Sequence, residues 1–174
     1  MKSAPLNRSG VDPLVGGRFD DRHRQVGHLR HALKTLSKTR FKKQDWSKGR
    51  SKEESYDTIM CLSVTKWIHL NGGDAALKSF FKKVYSSLTP GGLLVLEPQP
   101  WRSYRSAIHK QQTCNVPFRR IEQLQLRPDG FLTFLTDKVG FTVVADLNAG
   151  NTAHHFDRPL YILQRPYDGN AMLV

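Results

Sequence analysis

The sequence predicts an α/β fold built on a parallel strand pair, and three observations carry that reading. Residues 56–62 and 93–96 are short, strongly apolar runs, the second ending at Glu97. Between them Leu77, Phe81, Val84 and Leu88 recur at steps of three and four, the spacing that lines one helix face; Ala76, Phe80 and Tyr85 broaden the stripe. Thr89-Pro90-Gly91-Gly92 then stops the helix, because proline cannot continue it and glycine permits the reversal. Strand, helix and strand in such close succession form a βαβ unit, with parallel strands and a right-handed crossover.

The remaining elements follow in chain order. Residues 9–13 read as the end of a strand running into a loop. From Asp20 a helix is expected, since Val26, Leu29, Leu33 and Leu36 keep helical spacing with basic residues between them. Residues 40–46 read as a short exposed strand and 47–55 as a surface loop. The 56–62 strand is apolar enough to be buried on both faces. Asn71-Gly72-Gly73-Asp74 reads as the helix entrance, with Asp74 placed to cap. Farther on, a helix over 128–138 starts at Pro128, and residues 141–145 and 159–163 read as antiparallel strands joined by the polar stretch 148–157.

At 174 residues and 39% apolar, the chain is expected to form a single domain, with 1–52 a basic, partly ordered region and 53–174 the core. Lys and Arg exceed Asp and Glu by 27 − 15 = +12, and 14 − 4 = +10 of that excess falls within residues 1–52. Clustered cations of this kind suit a polyanion with a phosphate backbone, the alternatives being a solvated basic tail or a membrane surface, for which no lipidation motif or strongly apolar helix face speaks. Two cysteines, Cys61 and Cys114, support neither a disulfide framework nor a cysteine zinc site. With no membrane-length apolar run and no secretory signal at Met1, an intracellular protein, nuclear or cytoplasmic, is expected, with no membrane partner and no metal.

Open parallel sheets bind ligands at the carboxyl ends of their strands. Here those ends are Leu62-Ser63-Val64-Thr65-Lys66-Trp67-Ile68-His69-Leu70-Asn71 and Glu97-Pro98-Gln99-Pro100-Trp101-Arg102-Ser103-Tyr104. Each joins a tryptophan to cations and to amide or hydroxyl groups; aromatic faces stack on bases and cations pair with phosphate. Taken singly, Trp67 and Trp101 are ordinary packing residues, His69 an ordinary core histidine, and Glu97 assigns nothing. His154-His155 lacks the companions of a metal site, and there is no nucleophile elbow, phosphate-binding loop or HExxH motif. Pattern alone therefore ends at an α/β domain with a polar, aromatic crevice.

Longer strings go further. Residues 56–71, Leu88-Thr89-Pro90-Gly91-Gly92, Leu96-Glu97-Pro98-Gln99-Pro100-Trp101 and Phe156-Asp157-Arg158-Pro159-Leu160-Tyr161 closely resemble the bicoid-interacting RNA methyltransferase family, of the methylphosphate capping enzyme type. The resemblance is strong over 56–104, fair over 128–165 and weak over 10–46. It implies a Rossmann-like sheet that binds S-adenosylmethionine and methylates the 5′-terminal phosphate of RNA. It also implies roles residue by residue. Asp12, with Pro13 beside it, is placed to bond the cofactor ribose; Asp45 and Trp46 fall beside the adenine, and Leu62 lines the cofactor. Lys66 and His69 are the expected phosphate-positioning, catalytic pair, and Trp67, Asn71, Glu97, Gln99 and Trp101 the expected substrate-binding set. A terminal phosphate oxygen is already anionic, so the reaction needs alignment more than a strong base. The strand and glycine-rich turn that open this fold do not precede Asp12, so an incomplete sheet is expected, lacking the strand beside 56–62. The alternative is an RNA-binding relative without turnover, or a truncated, inactive fragment.

Overall fold

The computed structural model describes residues 16–50, 52–111, 118, 121–148 and 158–167. The chain divides into two compact units, Met1–Gln44 and Asp45–Val174. Asp12, Pro13, the 9–13 strand and His154-His155 lie outside the described residues.

In the first unit the expected helix forms as α1, Gly16–Lys38. Its apolar stripe stays open to solvent: Val26, Leu29, Leu33 and Leu36 are 48–62% exposed. The strand expected over 40–46 does not form, and no ladder in the structure includes these residues. An isolated strand cannot satisfy its backbone groups, and this stretch is cationic and mostly exposed.

The second unit is α/β. Its elements are β1 (Tyr56–Leu62), α2 (Thr65–Ser87), β2 (Leu88–Glu97), α3 (Trp101–Gln111), β3 (Thr142–Asp146) and β4 (Tyr161–Gln164). A short helix α4 (Phe131–Phe134) lies between a 3-10 turn at Pro128–Gly130 and a π turn at Leu135–Val139, filling the expected helical span. The sheet order is β1-β2-β4-β3. β1 and β2 pair in parallel, with Ile59 opposite Leu94 and Cys61 opposite Leu96. β4 runs antiparallel between β2 and β3, so the expected antiparallel pair is present and also closes onto the βαβ unit.

One sheet face makes the core. Cys61, Leu94, Leu96 and Leu163 pack there against Leu77, Phe80, Phe81 and Val84 of α2 and against Phe131, Leu135 and Phe141. The stripe read from the sequence is thus the packed face of α2. β1 departs from expectation: only Cys61 is buried, while Met60 is 63% and Leu62 41% exposed. Successive strand residues point to opposite faces, so even-numbered positions 56–62 look away from the helix layer. Among the described residues β1 is also an edge strand, with β2 as its neighbour. The apolar run predicts two covered faces; the described residues cover one.

α2 starts earlier than the spacing of its apolar stripe predicts. Residues 65–72 form a first helical arm in place of the expected strand-end turn, and Gly73, at φ 72, breaks it from the arm that continues to Ser87. Asp74 does not cap by side chain; its carboxylate bonds elsewhere. The stretch Trp101–Gln111, whose start reads as a turn in the sequence, is helix α3, packing Tyr104 against Leu70 and Leu124.

Candidate functional site

The parallel strands β1 and β2 end side by side, with Leu62 opposite Glu97. At the next residue the chain turns sharply: Ser63 has φ 56, in the left-handed region. Four hydrogen bonds fix it there. Its amide donates to the Glu97 carbonyl at 3.2 Å, and its carbonyl accepts from Gln99 Nε2 at 2.8 Å. Its hydroxyl donates to Glu97 Oε1 at 2.7 Å and accepts from Arg158 NH1 at 2.6 Å. The same guanidinium nitrogen donates to Glu97 Oε1 at 2.7 Å, an ion pair between partly buried groups.

Lys66 lies at the start of α2, 8% exposed. Its amide donates to Gln99 Oε1 at 3.3 Å, so Gln99 bridges Ser63 and the start of the helix. Its ammonium donates to Ser103 Oγ of α3 at 2.8 Å and lies 4.4 Å from the Trp67 ring centroid. No carboxylate of the described residues lies within ion-pair distance of it. Burial, and then the charges of Arg158 and Lys110, push the ammonium below the ordinary lysine range. Among the described residues, this buried cation is held by a hydroxyl and an aromatic face with no anion beside it.

His69 has no exposed surface. Its Nε2 lies 2.7 Å from Asp74 Oδ1 and its Nδ1 3.3 Å from the Tyr104 hydroxyl. Burial lowers its pKa, against the raising effect of the Asp74 hydrogen bond and charge. In the neutral ring Nε2–H therefore donates to the carboxylate and Nδ1 accepts from Tyr104. Asp74 Oδ2 accepts from the amides of Gln125 at 3.2 Å and Leu126 at 3.0 Å, so the pair pins that loop to α2. Burial acts to raise the Asp74 pKa, and the bonds from His69, Leu126 and Gln125 hold it below the usual range. The expected catalytic pair is thus divided. Lys66 belongs to the strand-end site; His69 is saturated by protein partners inside the fold.

The two turns converge through Lys66, Gln99 and Ser103, but their tryptophans face different cavities. Trp67, 45% exposed, lines a cavity of about 490 Å³ with Asp45, Lys48, Asn71 and Ser79. Asn71 donates to the Trp67 carbonyl at 2.7 Å. Trp101 lines a separate cavity of about 320 Å³ with Pro98, Arg127, Asp129 and Tyr161. Its ring packs 5.0 Å from Tyr104 and 5.0 Å from the Arg127 guanidinium. Burial, with Asp146, raises the Tyr161 pKa, so its phenol stays protonated.

Of the expected cofactor residues, Asp45 lines the Trp67 cavity, and Trp46 and Leu62 lie at opposite ends of β1. Trp46 packs edge-on to Tyr56 and Phe80, and its carbonyl accepts from Lys83. It therefore lies at the beginning of β1, whereas Leu62 is at the end, a strand length of about 20 Å away. Asp45 accepts from the Ser47 amide and hydroxyl in a local turn and pairs with Lys48. Bonds from Ser47 and Lys48 lower the Asp45 pKa. Leu62 is 41% exposed at the end of β1. Arg158, Ser63 and Ser103 join the site without any signal that singles them out in the sequence, although Arg158 stands in a string that carries the resemblance. Among the described residues no cluster of three His, Cys, Asp or Glu could hold a metal. No described helix is long and apolar enough to cross a membrane.

The family model of bicoid-interacting protein 3 matches residues 56–165. A probable RNA methyltransferase from Arabidopsis thaliana is 42% identical over 128 residues, covering 72% of this chain and 39% of the relative. The human 7SK snRNA methylphosphate capping enzyme is 43% identical over 114 residues, covering 63% of this chain and 16% of that protein. An RNA 5′-monophosphate methyltransferase from Mus musculus is 34% identical over 123 residues, covering 68% and 41%. The chain thus spans well under half the length of each of these relatives. A solved SAM-dependent methyltransferase from Methanosarcina mazei covers 75% of this chain and 69% of its own, at 20% identity and a TM-score of 0.43.

Proposed function

This chain belongs to the bicoid-interacting protein 3 family, and on that footing we propose that it serves methyl transfer from S-adenosylmethionine to the 5′-terminal phosphate of an RNA. Its own contribution in this reading is to seize the phosphate. The observation that carries it is the Lys66 ammonium: 8% exposed, without a carboxylate partner among the described residues, at the strand ends where an α/β sheet takes its ligand. A terminal phosphate would supply the missing counter-charge, in a charge-assisted hydrogen bond of the stronger kind. Ser103 orients the ammonium and Trp67 limits its hydration. The names of the relatives support this reading, since they act on RNA and on its 5′ monophosphate or cap. His69 acts behind the site, holding the first arm of α2 through Asp74 and Tyr104.

The second reading, an RNA-binding relative without turnover, is favoured by the place of Trp46 at the beginning of β1, the opposite end of the strand from Leu62. Calorimetry discriminates the two. Under the first reading both S-adenosylmethionine and a 5′-phosphorylated oligonucleotide give heat; under the second only the RNA does. The phosphate site itself is tested by Lys66→Met. We expect the wild-type chain to prefer 5′-phosphorylated over 5′-hydroxyl RNA, and the variant to lose that preference by about tenfold, the effect of one charge-assisted bond. Equal affinity of the wild type for both ends would remove the proposal.

A further inference from the structure

We infer that Arg158 is a positioning residue for the phosphate site: from just before β4 it holds Ser63 in the left-handed conformation, and so sets where α2 starts and where Lys66 points. The inference rests on the phosphate reading above. Ser63 at φ 56 occupies a region that residues with a β-carbon enter rarely and glycine enters freely. Such a residue persists where its surroundings over-determine it, and functional sites are where this strain collects. Its hydroxyl is caught between Glu97 Oε1 at 2.7 Å and Arg158 NH1 at 2.6 Å, and that same NH1 is 2.7 Å from Glu97 Oε1. The three groups close a triangle in which Arg158 is the cation. Without it, a partly buried carboxylate would face the Ser63 hydroxyl with its counter-ion gone, and the triangle would open.

The consequence reaches Lys66 by a continuous path. Ser63 gives its carbonyl to Gln99 Nε2 at 2.8 Å, and Gln99 Oε1 takes the Lys66 amide at 3.3 Å. Gln99 is only 4% exposed, so it has little room to re-pair with water. Arg158 is 95 residues from Ser63 in sequence, so the strand-end turn is shaped by the far end of the fold. Arg158 need not touch the phosphate for this.

A double-mutant cycle on the full chain separates positioning from direct binding. The quantity measured is the ratio of affinities for 5′-phosphorylated and 5′-hydroxyl RNA decamers of one sequence, with far-UV circular dichroism to verify folding. Arg158→Gln should cut that ratio about tenfold, and Arg158→Lys should restore part of it, since an ammonium can serve both Ser63 and Glu97. Ser63→Gly removes the hydroxyl and the strain together and should cost about two- to threefold. The decisive variant is the double, Ser63→Gly with Arg158→Gln. If Arg158 works through Ser63, adding Arg158→Gln to Ser63→Gly costs little beyond Ser63→Gly alone. Losses that multiply would mean that Arg158 acts on the anion by itself, and would overturn the inference, as would an Arg158→Gln chain that discriminates like wild type. Should Arg158→Gln unfold, the same cycle built on Arg158→Lys decides the question. A wild-type chain indifferent to the phosphate would fell the phosphate reading and this inference with it, a result distinguishable from additivity in the cycle.

Discussion

His69 is a neutral ring in a closed setting, with a carboxylate on one nitrogen and a phenol on the other. Its pKa is lowered, chiefly by burial, so the unfolded chain binds a proton more readily than the folded one. Stability from this residue is therefore complete above the ordinary histidine value of 6.5 and declines as pH falls below it. Asp74, also depressed, adds in the same direction but only in stronger acid, below the carboxylate reference of 3.8. Thermal unfolding followed by circular dichroism should thus give a midpoint that is flat above about pH 7 and falls through the pH 6 range. His69→Gln should lower the midpoint at pH 7 and flatten that slope. An unaltered slope would show that other groups carry it. In the sequence a histidine ligand and a core histidine are spelled alike; only the two partners of His69 decide, and both come from folding, since Asp74 follows the helix break and Tyr104 lies on α3.

At the level of elements, α2 is two helical arms joined at Gly73. The backbone there, at φ 72, is one that glycine tolerates, and a β-carbon added to it would meet nothing within 4 Å. The penalty of Gly73→Ala is therefore conformational rather than steric crowding: φ 72 with ψ −173 lies in a region essentially reserved for glycine, at a cost of about 1–3 kcal/mol to another residue. Urea unfolding should show it as a lowered midpoint with unchanged slope. The second arm is legible in the sequence because Leu77, Phe81 and Val84 mark one covered face. The first arm is not, because Lys66, His69 and Asn71 mask its spacing, although Leu70 is fully buried. α3 leaves a fainter trace, Trp101, Tyr104 and Ile108 at steps of three and four, submerged in arginine, serine and lysine. The strand pairs are legible for the opposite reason: apolar runs with glycine or proline beside them leave few alternatives.

For the molecule as a whole, charge and fold are unequally distributed. α1 and the residues after it bear Arg30, Lys34, Lys38, Arg40, Lys42 and Lys43 in exposed positions. If this segment binds the RNA backbone, replacing these six by glutamine should weaken binding of both 5′-phosphorylated and 5′-hydroxyl RNA alike. The slope of log affinity against log salt should then become shallower by about 0.7 for each phosphate of a single strand that the protein no longer neutralises. An unchanged slope would identify a solvated face. The core phosphate preference should survive this change, which separates general attraction to the polyanion from recognition of its end. The sheet order is not legible in the sequence, because parallel and antiparallel neighbours use the same apolar runs, and the insertion of β4 between β2 and β3 is a long-range choice. The exposure of β1 is hidden for a related reason: composition reports what a strand would bury, not whether anything comes to cover it.

That uncovered strand bears on handling the protein in a test tube. Among the described residues nothing pairs with the outer side of this seven-residue strand, Asp57 its sole charge, and such a row of amides and carbonyls is a template for an extended chain. A single lysine in place of Met60, whose side chain already faces water, is the smallest change that would discourage stacking.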